Sequence, residues 1–179
     1  MRFRRFRTYR TNRADSTARG YGSTEDVRED NARGMGNDNG DRRVSCRSGD
    51  VISDRGNAPY AFNIVEAAEK NTDFRRVIWT GKHFQIVLMS IPQGGEIPFE
   101  IHEGSDQLIV ITSGQGEVMM GRLAGELSYK MPLGTDSAVI IPSGTYHVIK
   151  NVGRAPMKLY TVYAPKLHPF GEVIVKREE

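Results

Sequence analysis

The chain has 179 residues, a mass of 20.0 kDa, 38% apolar residues and a formal charge of +3. That length suffices for one domain with a sizeable core, and no apolar run approaches the ~20 residues that a membrane-spanning helix needs. The single Cys46 excludes an internal disulfide, and its Ser, Arg and Gly neighbours do not suggest a thiol nucleophile, so a reducing, cytoplasmic setting is expected.

The basic residues are unevenly spread. Residues 1–58 hold thirteen arginines, no lysine and nine acidic residues, whereas all seven lysines lie between Lys70 and Lys176. This change of usage sets an expected boundary near Asn57–Tyr60, dividing the chain into an Arg-rich segment, 1–58, and a folded domain, 59–179. The first segment has no sustained periodicity and few large apolar side chains, which predicts a disordered tail. Its opening, Met1 to Arg10, interleaves arginine with aromatics in a way that suits nucleic acid or anionic lipid, yet a solvated tail is the simpler expectation. The domain itself is close to neutral, so neither a nucleic-acid nor a membrane partner is expected of it.

Within the domain, Tyr60 to Asn63 reads as an extended lead-in, and Ile64 to Lys70 as a short helix of good helix formers closed by Asn71, Thr72 and Asp73. Strands are predicted at 74–80, 83–91, 97–102, 107–112, 115–121, 127–131, 137–141, 145–151, 156–164 and 172–176. The second alternates Phe84, Ile86 and Leu88 with Val87, Met89 and Ile91, so both of its faces are apolar and it should be packed on two sides. Pro98 and Pro156 predict strands that begin late or lie at an edge. Many short strands with almost no helix indicate an all-β barrel or sandwich.

Two stretches carry chemistry. Pro142-Ser143-Gly144-Thr145-Tyr146-His147 puts a histidine on a strand just after a tight turn, in which Gly144 suits a positive φ. His147 shares a strand face with Thr145, Ile149 and Asn151. Upstream, Glu100 and His102 stand two apart on one face, and Gln107 opens a buried run, Leu108 to Ile111. Glu, His, Gln and His converging from three strands make a metal site for Zn, Mn, Fe or Ni, with positions left for water or substrate. From the pair of histidines alone, ordinary hydrogen-bonded strand residues are an equal alternative. Of the other polar residues, His83 is expected to face solvent and His168 to lie on a late loop. Tyr146, Tyr160, Tyr163 and Trp79 are read first as packing residues.

Gly94 to Gly114 and Asp136 to Asn151 resemble the two motifs of the cupin superfamily. Pro142, Gly144, His147 and Asn151 stand at the family spacing, while Asp136 occupies the place of the opening glycine. In the first motif Glu100 stands in the first histidine position, His102 in the second, Gln107 in the glutamate position and Gly114 at the usual distance. Asp106, one residue away, would replace Gln107 under a register shift. The segments Phe74 to His83, Leu159 to Pro165 and His168-Pro169 are similar to a group of small bacterial single-domain cupins, some labelled mannose-6-phosphate isomerase-like.

The resemblance covers residues 60–179. It implies a double-stranded β-helix (a jelly-roll-like barrel), a divalent metal held by Glu100, His102, Gln107 and His147, and a homodimer. The implied function is that of a metal-dependent enzyme on a small polar ligand, with sugar or sugar-phosphate isomerisation leading and Glu100 also the candidate proton carrier. A non-catalytic ligand-binding cupin and an Fe-dependent oxygenase are the alternatives. No Arg or Lys cluster for a phosphate is evident beside the proposed ligands.

Overall fold

The computed structural model describes residues 52–177. Most of the expected tail, with Cys46 and the arginine-aromatic opening, lies outside the described residues. Its last part does not behave as a free tail. Arg55 N–H donates to the Ile78 carbonyl, the Ala58 carbonyl accepts from Trp79 Nε1, and the Ile52 carbonyl accepts from Arg76. Residues 52–58 therefore line the first strand, ahead of the expected boundary, and they do so mainly through backbone hydrogen bonds that composition does not reveal.

Helix α1 (Ile64–Lys70) starts at Asn63, whose side chain accepts from Glu66 N–H, and ends where Asn71 N–H returns to the Ala67 and Ala68 carbonyls. Ten strands follow: β1 (Arg75–Thr80), β2 (Gln85–Ile91), β3 (Glu96–Glu100), β4 (Asp106–Ser113), β5 (Gly116–Gly121), β6 (Tyr129–Leu133), β7 (Ala138–Ile141), β8 (Tyr146–Asn151), β9 (Met157–Ala164) and β10 (Val173–Ile174). They pair antiparallel in two sheets, a six-stranded one in the order β10-β1-β2-β9-β4-β7 and a four-stranded one in the order β3-β8-β5-β6. This is the all-β barrel expected from the sequence. Pro98 lies in β3, an edge strand, and Pro156 just precedes β9, as Pro must where it cannot donate to a central ladder.

The alternation along β2 builds two cores. Val87, Met89 and Ile91 point into the barrel, with Ile97, Ile109, Ile111, Val118, Ile149, Leu159 and Tyr163 from both sheets. Leu88 points the other way and packs with Ile78 against Ala67 and Ala68 of α1. The helix thus seals the outer face of the larger sheet, and the strand is buried on both sides.

Several turns need unusual backbone. Gly144 has φ +75, and Gly114 has φ +98 with a hypothetical Cβ only 2.8 Å from Met157 Cα, so both positions demand glycine. Asp136, which replaces the family's opening glycine, itself adopts φ 66. Aspartate tolerates that region better than most residues, and this explains how the turn survives the exchange.

Candidate metal centre

Glu100 ends β3 and lies directly across from His147 of β8. His102 follows in the next turn, and its carbonyl accepts from Gly144 N–H at 2.9 Å and from the Ser143 hydroxyl at 3.3 Å. Asp106 fastens the same turn by accepting from Ser143 N–H at 2.8 Å. The glycine turn before β8 is thereby fixed to the segment that carries His102, and the two halves of the site are held in one register.

The three side chains converge. Glu100 Oε1 lies 3.3 Å from His147 Nε2 and 3.3 Å from His102 Nε2, and the three candidate ligand atoms all fall within 4.8 Å of one another. His147 is fully buried and its Nδ1 sits 3.0 Å from the Thr145 carbonyl. An Nδ1–H donated to that carbonyl leaves the Nε2 lone pair for the centre. Burial alone would raise the Glu100 carboxyl, but the adjoining His102 and His147 rings outweigh it and hold the group at about 2. Glu100 is therefore an anion at any physiological pH.

Gln107 is buried on the inward face of β4, while Asp106 is exposed and engaged with Ser143. The Gln107 amide donates to the Thr161 hydroxyl at 3.2 Å and to the Tyr163 hydroxyl at 3.0 Å, which leaves its Oε1 buried without a partner. His102 Nε2 is likewise buried and lacks a well-directed hydrogen bond. An acceptor oxygen and an imidazole nitrogen, both unmet beside an ionised carboxylate, fit a divalent cation. The donor set of two imidazoles, one carboxylate and one neutral amide oxygen suits Zn, Mn, Fe or Ni.

Asn151, on the same strand face as His147, has a different task. Its amide donates to the Ile91, Pro92 and Ala155 carbonyls, and its Oδ1 accepts from Gly153 N–H. It ties the turn after β2 to the β8–β9 loop at the far end of β8. His83 is exposed, as expected.

Arg75 near the centre was not singled out by sequence reasoning, and His168 was read there as a late-loop residue. Arg75 shares a strand face with the core residue Val77, and His168 packs edge-on against Tyr163, whose ring in turn meets His102 edge-on at 5.6 Å. Tyr163 was read first as a packing residue, with a hydroxyl offered to a ligand as the alternative. It belongs to the core, yet its hydroxyl also joins Gln107, and burial with the nearby Glu100 charge pushes its proton loss above the usual phenol range.

These features define a small antiparallel β-barrel with a two-histidine, one-carboxylate centre where its two signature turns meet. The chain belongs to the cupin family, and residues 87–163 match its cupin domain, Cupin_2. It is 44% identical over 123 residues to the uncharacterised protein YrkC of Bacillus subtilis (strain 168), a match covering 69% of this chain and 66% of that protein. The chain thus spans just under two thirds of that relative's length. An uncharacterised protein of Acanthamoeba polyphaga mimivirus is 40% identical over 124 residues, covering 69% of this chain and 76% of the viral one. The crystal structure of BH2720 from Bacillus halodurans superposes with a TM-score of 0.69 at 41% identity, covering 69% of this chain and 94% of that one.

Proposed function

We propose that this cupin is a metal-dependent enzyme acting on a small hydroxylated carbonyl compound, with isomerisation of a sugar-like substrate the leading reaction. The observation that carries this reading is the single carboxylate oxygen, Glu100 Oε1, 3.3 Å from the Nε2 atoms of both His102 and His147. Glu100, His102 and His147 would hold the cation, with Gln107 Oε1 as a neutral fourth donor. A divalent metal there supplies Lewis acidity to a bound carbonyl.

The chain's own residues do the rest. One formal negative charge from the protein leaves the bound cation electrophilic. Glu100, held ionised by its two imidazole neighbours, is a weak proton acceptor, so its part is that of a ligand rather than of the base first assigned to it. Tyr163 keeps its O–H and takes the Gln107 amide hydrogen bond on its oxygen, which leaves its own proton to offer to a bound oxygen.

The same two-histidine, one-carboxylate set also holds non-haem Fe(II) in oxygenases, and this observation supports a second reading. Metal analysis of protein purified without added metal divides the two. Zinc or manganese with turnover in an aldose–ketose panel supports the isomerase, and iron with oxygen consumption supports the oxygenase. Bound metal without turnover in either assay would make the site a ligand-binding one.

A further inference from the structure

Among the described residues, five buried side-chain atoms lack a hydrogen-bond partner: Arg75 Nε, His102 Nε2, Gln107 Oε1, His168 Nε2 and Glu172 Oε2. They are linked by contacts into one run. Arg75 Nη1 lies 3.7 Å from Glu172 Oε2, which lies 3.2 Å from His168 Nδ1. The His168 ring is 4.9 Å from that of Tyr163, and Tyr163 touches both Gln107 and His102. Buried polar atoms without partners are costly and few in native proteins, so their concentration in one place marks a site built around a bound molecule. His102 and Gln107 belong to the metal centre. Arg75, His168 and Glu172 do not.

The loop that carries His168 is held firmly. Gln85 is fully buried, and its Oε1 accepts from His168 N–H at 2.9 Å while its Nε2 donates to the His168 carbonyl at 3.0 Å. Gln85 also donates to Thr80, whose hydroxyl donates to Asp54, and Asp54 accepts from Gly171 N–H as well. Two side chains thus fasten the backbone on either side of Pro169 and Phe170. Glu172 Oε2 lies beside Nδ1 without a well-directed hydrogen bond, and its negative charge there favours the tautomer protonated on Nδ1, with the lone pair on Nε2. Burial and the Arg75 charge hold the ring neutral, down to about pH 4.

We propose that Arg75, Glu172 and His168 form a second polar subsite of the barrel, which binds a hydroxyl of an uncharged ligand whose other end the metal centre holds. This rests on the metal-dependent reading above and names its substrate class. Arg75 and Glu172 cancel in charge, so the subsite offers one donor, Arg75 Nε–H, and one acceptor, His168 Nε2. A hydroxyl, donor and acceptor in one group, matches this pair in chemistry. A phosphate would use only the donor and would face a carboxylate and an imidazole lone pair. The subsite therefore selects free sugars and other polyhydroxy carbonyl compounds over their phosphate esters.

The test uses the full chain loaded with Zn(II), with histidine ring nitrogens labelled, and glucose, mannose and fructose each paired with its 6-phosphate. Before sugar is added, His168 is expected to show a pyrrole-like Nδ1 and a pyridine-like Nε2 signal. At least one free sugar should shift the Nε2 signal and bind more tightly than its 6-phosphate. His168→Phe and Arg75→Met should each weaken that binding about tenfold, the effect of one lost hydrogen bond, while zinc content stays unchanged. The opposite tautomer in the wild-type protein overturns the proposal without recourse to any variant. Tighter binding of the phosphate esters, undiminished binding by both variants, or no free sugar bound would also overturn it. Failure to take up zinc is seen before any sugar is added and would instead remove the metal reading on which the subsite rests.

Discussion

Glu100 and His147 are cross-strand partners, opposite each other on β3 and β8, with Oε1 and Nε2 3.3 Å apart. The pairing makes the centre a product of sheet register. A one-residue slip of β3 against β8 would turn the carboxylate out of the barrel. Because β3 is an edge strand held on one side only, the hydrogen bonds from Ser143 and Gly144 to the His102 carbonyl and from Ser143 N–H to Asp106 carry much of that register.

His147→Ala and His102→Ala are each expected to abolish stoichiometric metal binding with the barrel intact. Neither ring belongs to the apolar core cluster. Metal content after purification, set beside the far-ultraviolet circular dichroism of each variant, checks this. Full metal content in both variants would refute the ligand assignment.

Asn151→Ala should act on stability and leave the metal alone. It removes the donor shared by the Ile91, Pro92 and Ala155 carbonyls and the acceptor for Gly153 N–H. Orphaning such groups costs about 2–4 kcal/mol in total. Denaturant unfolding should show that loss, while the metal content per folded chain remains that of the wild type.

At Asp136 the expected sign depends on the replacement. With φ at 66, Asp136→Gly relieves the strain of a left-handed aspartate and should be neutral or stabilising by up to about 1 kcal/mol. Asp136→Val forces a β-branched residue into the same conformation and should destabilise by about 1–2 kcal/mol. Thermal unfolding of the two variants compares them directly, and an equal shift in both would show that backbone conformation does not govern this turn.

The fold was legible because its cause is local. Apolar alternation in β2, the glycines at 114 and 144 and the prolines at 98 and 156 each leave a mark in the sequence. The same holds for Glu100, His102 and His147, whose spacing and turn chemistry survive without knowledge of their neighbours. His168 and Arg75 leave no such mark. The placement of His168 depends on Gln85, far away in the chain, and the inward direction of Arg75 depends on the register of β1. The role of residues 52–58 is hidden for a related reason, since Asp54 and backbone groups do the binding there.

A pH effect follows from the burial of His168. Burial and the Arg75 charge lower its pKa from the ordinary 6.5 to about 4, with Glu100 opposing and His102 adding to the shift. Tyr163 and Glu172 also face the ring. The unfolded chain therefore takes up a proton that the folded one refuses. The contribution to stability is fully present above about pH 6.5 and is lost as pH falls toward 4. In metal-free protein, unfolding free energy should fall more steeply between pH 7 and 5 for the wild type than for His168→Phe. Identical slopes would show that His168 titrates normally in the fold.

Gln107 separates a ligand from a packing residue. Gln107→Leu removes Oε1 and also strips the Thr161 and Tyr163 hydroxyls of a shared donor, so it should weaken metal binding about tenfold and lower stability modestly. Gln107→Glu keeps an oxygen at that position and adds a second negative charge beside Glu100. Without metal, two buried carboxylates repel and the barrel should melt lower than the wild type. With metal the charge is neutralised and affinity should rise. The rise in melting temperature on adding metal should therefore be largest for Gln107→Glu and smallest for Gln107→Leu, measured with and without chelator. An order that ignores the charge at this position would mean that Gln107 supports Tyr163 and Thr161 but does not meet the cation.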